Sequence, residues 1–165
     1  MKVCSNLVDK KKLEKHRARR EELCELAIEI SNLDDILKSV PGSKISDMPR
    51  SQNPTDRIGN LLSDKLEKEK RHSKLSAIIC EEEAIIESIF DKMLELPERP
   101  KGPTNRQLRD VLRYFYIYCF GPEMIIKIFH LRDIDFDDTK DNKVRNLYRW
   151  QEKALSKFIK CQISR

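Results

Sequence analysis

The stretch LCELAIEISNLDDILKSV, residues 23–40, decides how the chain is read. Its aliphatic residues Leu23, Leu26, Ile30, Leu33, Leu37 and Val40 recur at spacings of 3, 4, 3, 4 and 3. At 3.6 residues per turn, that alternation holds them on one narrow stripe, the seam of a coiled-coil-like helix pair. Neither Gly nor Pro interrupts residues 10–40, so the spacing predicts one long helix. Covering such a seam removes its side chains from water at roughly 1.5–3 kcal/mol for each fully buried Leu or Ile. Before Leu23 the pattern changes: Lys10, Lys11, Lys12, Lys15, Arg17, Arg19 and Arg20 interrupt the stripe, and this part reads as a frayed or solvent-projecting end.

Downstream, Pro41-Gly42 stops the helix, and the turn-rich segment 41–53, with Pro49, reads as a linker. Asn53-Pro54-Thr55-Asp56 then offers an N-cap, a proline already holding helical φ and a carboxylate near the positive helix end. From there no proline occurs before Pro97, and Ile58, Leu61, Leu62, Leu66, Leu75, Ile78, Ile79, Ile85, Ile86, Ile89, Phe90 and Met93 keep a helical stripe. The natural cover for one long helix is the other, folded back antiparallel, or the same hairpin in a second subunit. Pro97, Pro100, Gly102 and Pro103 make a second break, and Thr104 with Gln107 matches a capping box. The helix it opens has the apolar face Leu108, Val111, Leu112, Phe115, Ile117 and Tyr118. Gly121-Pro122 ends it and starts a short fourth helix, where Met124, Ile125, Ile128 and Phe129 can pack back, and a fifth runs from about Asp141 to Ile159.

Composition agrees with helices. In 165 residues, 37% are charged against 39% hydrophobic and 7% aromatic, enough for a helical core but thin for a doubly wound sheet. Only 4 glycines are present, which leaves phosphate-cradling loops almost no raw material. The five cysteines form no C-x-x-C, and His16, His72 and His130 stand far apart, so no zinc site, disulfide framework or cofactor is indicated. No GxSxG elbow occurs and Glu81-Glu82-Glu83 reads as a solvated face, so the chain is not read as an enzyme. Scattered thiols, no apolar leader in Met1 to Asp9 and no run long enough to span a bilayer point to a cytoplasmic protein.

Charge is unevenly placed. The formal excess is +5, yet residues 139–165 alone carry a local +6, whereas 122–138 set Glu123, Asp133, Asp135, Asp137 and Asp138 against Lys127 and Arg132. On a helical projection of the last helix, Val144, Leu147, Tyr148, Leu155, Phe158 and Ile159 share one side. Asn146, Arg149, Lys153, Lys157 and Lys160 fall opposite, with Arg145 at the margin. Arg can bond guanine and Asn adenine bidentately, while Lys neutralises phosphate, so this face has the chemistry of a major-groove reader. A solvated amphipathic face is the competing reading.

Residues 104–160 follow the plan of a helix-turn-helix behind a supporting helix. The segments Met48-Pro49-Arg50-Ser51-Gln52-Asn53-Pro54-Thr55-Asp56, Leu112-Arg113-Tyr114-Phe115-Tyr116-Ile117 and Leu147-Tyr148-Arg149-Trp150 with Ala154-Leu155 resemble a family of small phage and prophage proteins. That family joins a coiled helical hairpin to a sigma-factor-region-four-like helix-turn-helix and is similar to the ArpU- and RinA-type late transcription regulators. The resemblance implies a supporting helix at Arg106 to Tyr118, a first motif helix at Glu123 to Phe129 and a recognition helix at Asn142 to Phe158. It implies contact with double-stranded DNA, and with RNA polymerase as a further partner.

The expectation is therefore an all-α chain: a long antiparallel hairpin over 1–96, with its linker at 41–53, then a three-helix, helix-turn-helix-like domain over 104–165. A homodimer is expected to cover the seams. Function is expected to be phage-type transcription regulation, with Arg145, Asn146, Arg149, Lys153 and Lys157 on DNA. The insert Leu131 to Asp141 departs from the family's short turn, and its acidity would repel phosphate unless it faces a protein. That supports a second reading, an interaction inhibitor or adaptor of a mobile element that binds a host or phage protein through Asp133, Asp135, Asp137 and Asp138.

Overall fold

The computed structural model describes residues 7–39, 54–98, 102–132, 134 and 140–163. Regular structure among them is entirely helical: α1 (Lys10–Ser39), α2 (Pro54–Leu94), α3 (Asn105–Leu112) continued by a π-helical turn (Arg113–Ile117), α4 (Pro122–His130) and α5 (Lys140–Ile163). The first two helices pack as a hairpin. Cross-helix ion pairs fix its direction, because Glu22, Glu29 and Asp34 descend α1 as their partners Arg71, Lys68 and Lys65 ascend α2. The two helices are antiparallel. The Asn53 cap and the 41–53 linker lie outside the described residues, although α2 does begin at Pro54.

Two compact units divide the chain inside the long helices instead of at the proline-rich break: Glu21–Ile78 forms one, and Met1–Arg20 with Ile79–Arg165 the other. In the first, Leu26 and Leu75 are buried and Leu23, Ile30, Leu33, Leu37 and Leu61 half-buried, so the α1 seam is the covered face. The stripe on α2 turns out narrower than its apolar content. Ile58, Leu62, Leu66 and Ile78 stay exposed, since a two-helix pair covers only one face of each helix. The α2 positions in phase with Leu61 and Leu75 are Lys65, Lys68 and His72, each half-buried. Lys65 reaches Asp34 at 2.5 Å and Lys68 reaches Glu29 at 2.7 Å, while long side-chain stems cover apolar surface. The hydrogen bond to Lys65 holds the Asp34 carboxyl below its usual range.

The second unit has one continuous core. Leu13 of α1 and Phe90 and Met93 of α2 are fully buried with Leu112 of α3, Phe129 of α4 and Leu147 and Phe158 of α5. The start of α1 is thus anchored, not frayed. Gln162 adds a clamp, accepting from the Val8 amide at 2.7 Å and donating to the Val8 carbonyl at 2.9 Å. The Thr104–Gln107 capping box opens α3 as the sequence predicts. Gly102, at φ 122°, takes the left-handed turn just before it.

After Leu112 the helix does not run on as α. Tyr118 donates to the Arg113 carbonyl at 2.9 Å, five residues back, and Cys119 at φ 56° ends the turn. One extra residue per turn shifts the phase, and Tyr114, Phe115, Tyr116 and Ile117 are all buried in succession. Tyr118, expected in the apolar face, is 52% exposed, and so is Met124 at 51%. The Tyr116 hydroxyl accepts from Gln151 at 2.9 Å, and burial pushes its phenol above the ordinary value.

Burial separates two classes of apolar residue. Phe115→Ala is expected to cost about 3–5 kcal/mol in chemical unfolding, as for an aromatic core deletion. Leu62→Ser, on an exposed edge, is expected to stay within about 0.5 kcal/mol of the parent.

Candidate nucleic-acid interface

Helix α5 is pinned from below. Leu147, Ala154, Leu155, Phe158 and Cys161 are buried, and the Phe158 ring lies 5.5 Å from that of Phe90. Tyr148, half out of the core, stacks on Phe115 at 6.0 Å, and Trp150 meets Phe129 edge-on at 6.1 Å. These contacts set the helix rotation. Asn142, Arg145, Arg149, Lys153 and Ser156 are consequently exposed along one edge.

The five expected DNA residues do not share one environment. Arg145, Arg149 and Lys153 are exposed, and Asn146 is half-buried with its Oδ1 accepting from Arg149 Nη1 at 3.3 Å. Lys157 is drawn inward, where its ammonium donates to Oδ1 of Asn105. Asn105 is 1% exposed, and its Nδ2 donates to the Leu96 carbonyl at 2.5 Å. Its backbone amide donates to Glu98 at 3.0 Å, so one carboxamide ties α5 to the chain leaving α2. Lys157 therefore has a positioning contact as well as a charge. Asp133, Asp135, Asp137 and Asp138 lie outside the described residues.

A second polar group was missed from sequence. His16 is 1% exposed, with Nδ1 3.0 Å from Oε2 of Glu82, and Nε2 lies 3.6 Å from Oε1 of Glu83. Since a carboxylate only accepts, Nδ1 carries the proton of the bond to Glu82. Arg19 pairs with Glu82 and Arg20 with Glu83, so the two carboxylates read as a solvated face turn inward onto α1. The signal was present in the heptad phase. Leu13, His16, Arg20 and Leu23 continue the 3-4-3 spacing, but polar residues hold two of its positions. A similar clamp binds the π-helical turn: Arg113 reaches Glu87 through Nε at 3.1 Å and also through Nη2, and its guanidinium sits 5.7 Å from the Phe90 ring centre. That bond raises the Arg113 pKa above its ordinary value.

Among the described residues no three His, Cys, Asp or Glu side chains gather as metal ligands, and no helix is long and apolar enough to cross a membrane. The chain matches no protein-family model, no curated protein and no solved structure.

The Glu82 carboxyl has a defined pH signature. Burial raises its pKa, but hydrogen bonds from His16 and Arg19 outweigh this and leave it below 4.5. A depressed carboxylate stabilises the fold above its unfolded pKa and loses that contribution as pH falls through the folded value. Glu82→Gln is expected to be less stable than the parent at pH 7, and the gap should close below about pH 4.5 in urea titrations run across pH. A gap that stays constant down to acid pH would remove the carboxylate from this role.

Proposed function

We propose that this chain is a phage-type DNA-binding transcription regulator, with α3, α4 and α5 acting as a sigma-region-four-like helix-turn-helix and α5 as its recognition helix. The observation that carries the reading is the exposed edge of α5. Asn142, Arg145, Arg149, Lys153 and Ser156 follow one another at spacings of 3, 4, 4 and 3 on the side away from Leu147 and Phe158. That edge is about 20 Å long at 1.5 Å per residue, and an α-helix fits the major groove of B-DNA. Among the residues of α5 whose exposure is described, these three cations are accompanied by one exposed carboxylate, Glu152. Arg145 and Arg149 supply bidentate donors for guanine, Asn146 orients the Arg149 guanidinium, and Lys153 meets phosphate.

The same proposal includes a cytoplasmic homodimer, since such modules read paired half-sites, and RNA polymerase as a second partner. Ile58, Leu62 and Leu66 leave an apolar edge on α2 that a second copy would cover. Light scattering tests this part separately, and a monomer at working concentration removes the dimer without touching DNA recognition.

Duplex binding measured against salt tests the central claim. Arg149→Ala is expected to weaken specific sites by about 1–3 kcal/mol, and Lys153→Ala to weaken all duplexes and flatten the salt slope by about one unit. Binding no tighter than that of an unrelated basic protein, unchanged by Arg149→Ala, would overturn it and favour the protein-interaction reading.

A further inference from the structure

Beside the buried histidine, α1 and α2 enclose a half-open groove of about 630 Å³. Its apolar wall is Val8, Ile85 and Ile86, and its cationic lip is Lys12, Lys15 and Arg19, successive positions along one side of α1. Ile85 is 54% exposed although it faces this recess. The lip is not neutralised by the fold. Arg19 is committed to Glu82, but among the described residues the Lys12 and Lys15 ammonium groups form no ion pair.

The floor is polar and incomplete. His16 lines the groove, and its Nε2 is buried with no hydrogen-bond partner among the described residues. Native folds rarely leave such an atom; with the proton on Nδ1 it is an acceptor, so it calls for a donor such as a water carried in with the ligand and not for the anionic head itself. A volume of this size lies in the range of small-molecule sites, which combine apolar walls with a few convergent polar groups.

We propose that this groove binds a small organic acid with an apolar body: an alkyl or aryl chain against Val8, Ile85 and Ile86, and an anionic head between Lys12 and Lys15. Charge complementarity selects the acid. A neutral hydrocarbon would strip water from Glu82 and Arg19 and return nothing, whereas an anionic head gains two unpaired cations. A bare anion would lack the wall. The proposal is independent of DNA binding, because none of these residues lies on α5.

Calorimetry on the full chain, with amide chemical shifts to locate binding, tests it using decanoate and decyl phosphate below their micellar concentrations. At least one is expected to bind and shift residues 8–19 and 82–86, and the tighter of the two identifies the head group. Acetate and decanol are expected to bind at least about tenfold more weakly, a factor worth about 1.4 kcal/mol. Lys12→Glu with Lys15→Glu should reduce affinity by about tenfold or more, and both positions are exposed, so helicity should be unchanged. Ile85→Ser should reduce it by about fivefold through lost apolar contact. Equal binding of decanol and decanoate, affinity unchanged in the double variant, shifts confined to other residues, or tighter binding of a short acidic peptide would each overturn the proposal.

Discussion

Everything in the larger unit depends on Phe90 meeting Phe158. Their ring centres lie 5.5 Å apart, both side chains are fully buried, and they join the second helix to the last across 68 residues of sequence. An aromatic pair of this kind adds about 0.5–1.5 kcal/mol beyond the area it buries. Its larger effect is geometric. With Phe158 seated, α5 has only one rotation that also buries Leu147, Ala154 and Cys161, and that rotation leaves Arg145, Arg149 and Lys153 in water. Charge placement on α5 is thus a consequence of core packing.

The same packing explains why the units divide inside the long helices. A hairpin alone covers one face of each helix, and in Glu21–Ile78 that is all that happens, so Lys65 and Lys68 take seam positions and Ile58, Leu62 and Leu66 stay outside. From Ile79 onward α2 also meets the π-helical turn, through Arg113 on Glu87, and α5, through Phe158 on Phe90, and Ile86, Ile89, Phe90 and Met93 are buried. The proline-rich break marks where the long helix ends, at Leu94, and the next begins, at Asn105. It does not mark where the hydrophobic contacts stop, because contacts follow side-chain volume and not chain direction.

How much of this could be read from sequence follows from which signals are local. The long helices, the Pro54 start, the capping box at Thr104 and the Gly121-Pro122 start of α4 were legible because caps and periodicity act within a few residues. Apolar spacing did pick out Leu108, Val111, Leu112, Phe115, Ile125, Phe129, Leu147 and Leu155 as members of one cluster, but not that Leu13 of α1 and Ile86, Ile89, Phe90 and Met93 of α2 belong to the same cluster. The π-helical turn was not legible, because its extra residue is stabilised by tertiary contacts: Arg113 on Glu87 and Tyr116 on Gln151. His16 was hidden for a related reason. A histidine in a run of lysines and arginines reads as solvated until Glu82 and Glu83 arrive from 66 and 67 residues away.

Polar seam positions carry a further consequence for the hairpin. An all-aliphatic seam would pair with another in several registers, because Leu is interchangeable with Leu. Placing His16 and Arg20 in the 3-4 phase and meeting them with Glu82 and Glu83 makes one register pair His16 Nδ1 with Glu82 and Arg20 with Glu83 at once. A slip of one heptad would set those groups against apolar neighbours and part both bonds, leaving His16 buried and the other three half-buried without partners. The cluster therefore contributes more to uniqueness than to stability, since the desolvation of buried charge offsets much of what the pairs return. It also fixes where Lys12 and Lys15 stand, two turns and one turn before Arg19, so the cationic lip of the groove is set by the same register that aligns the two helices.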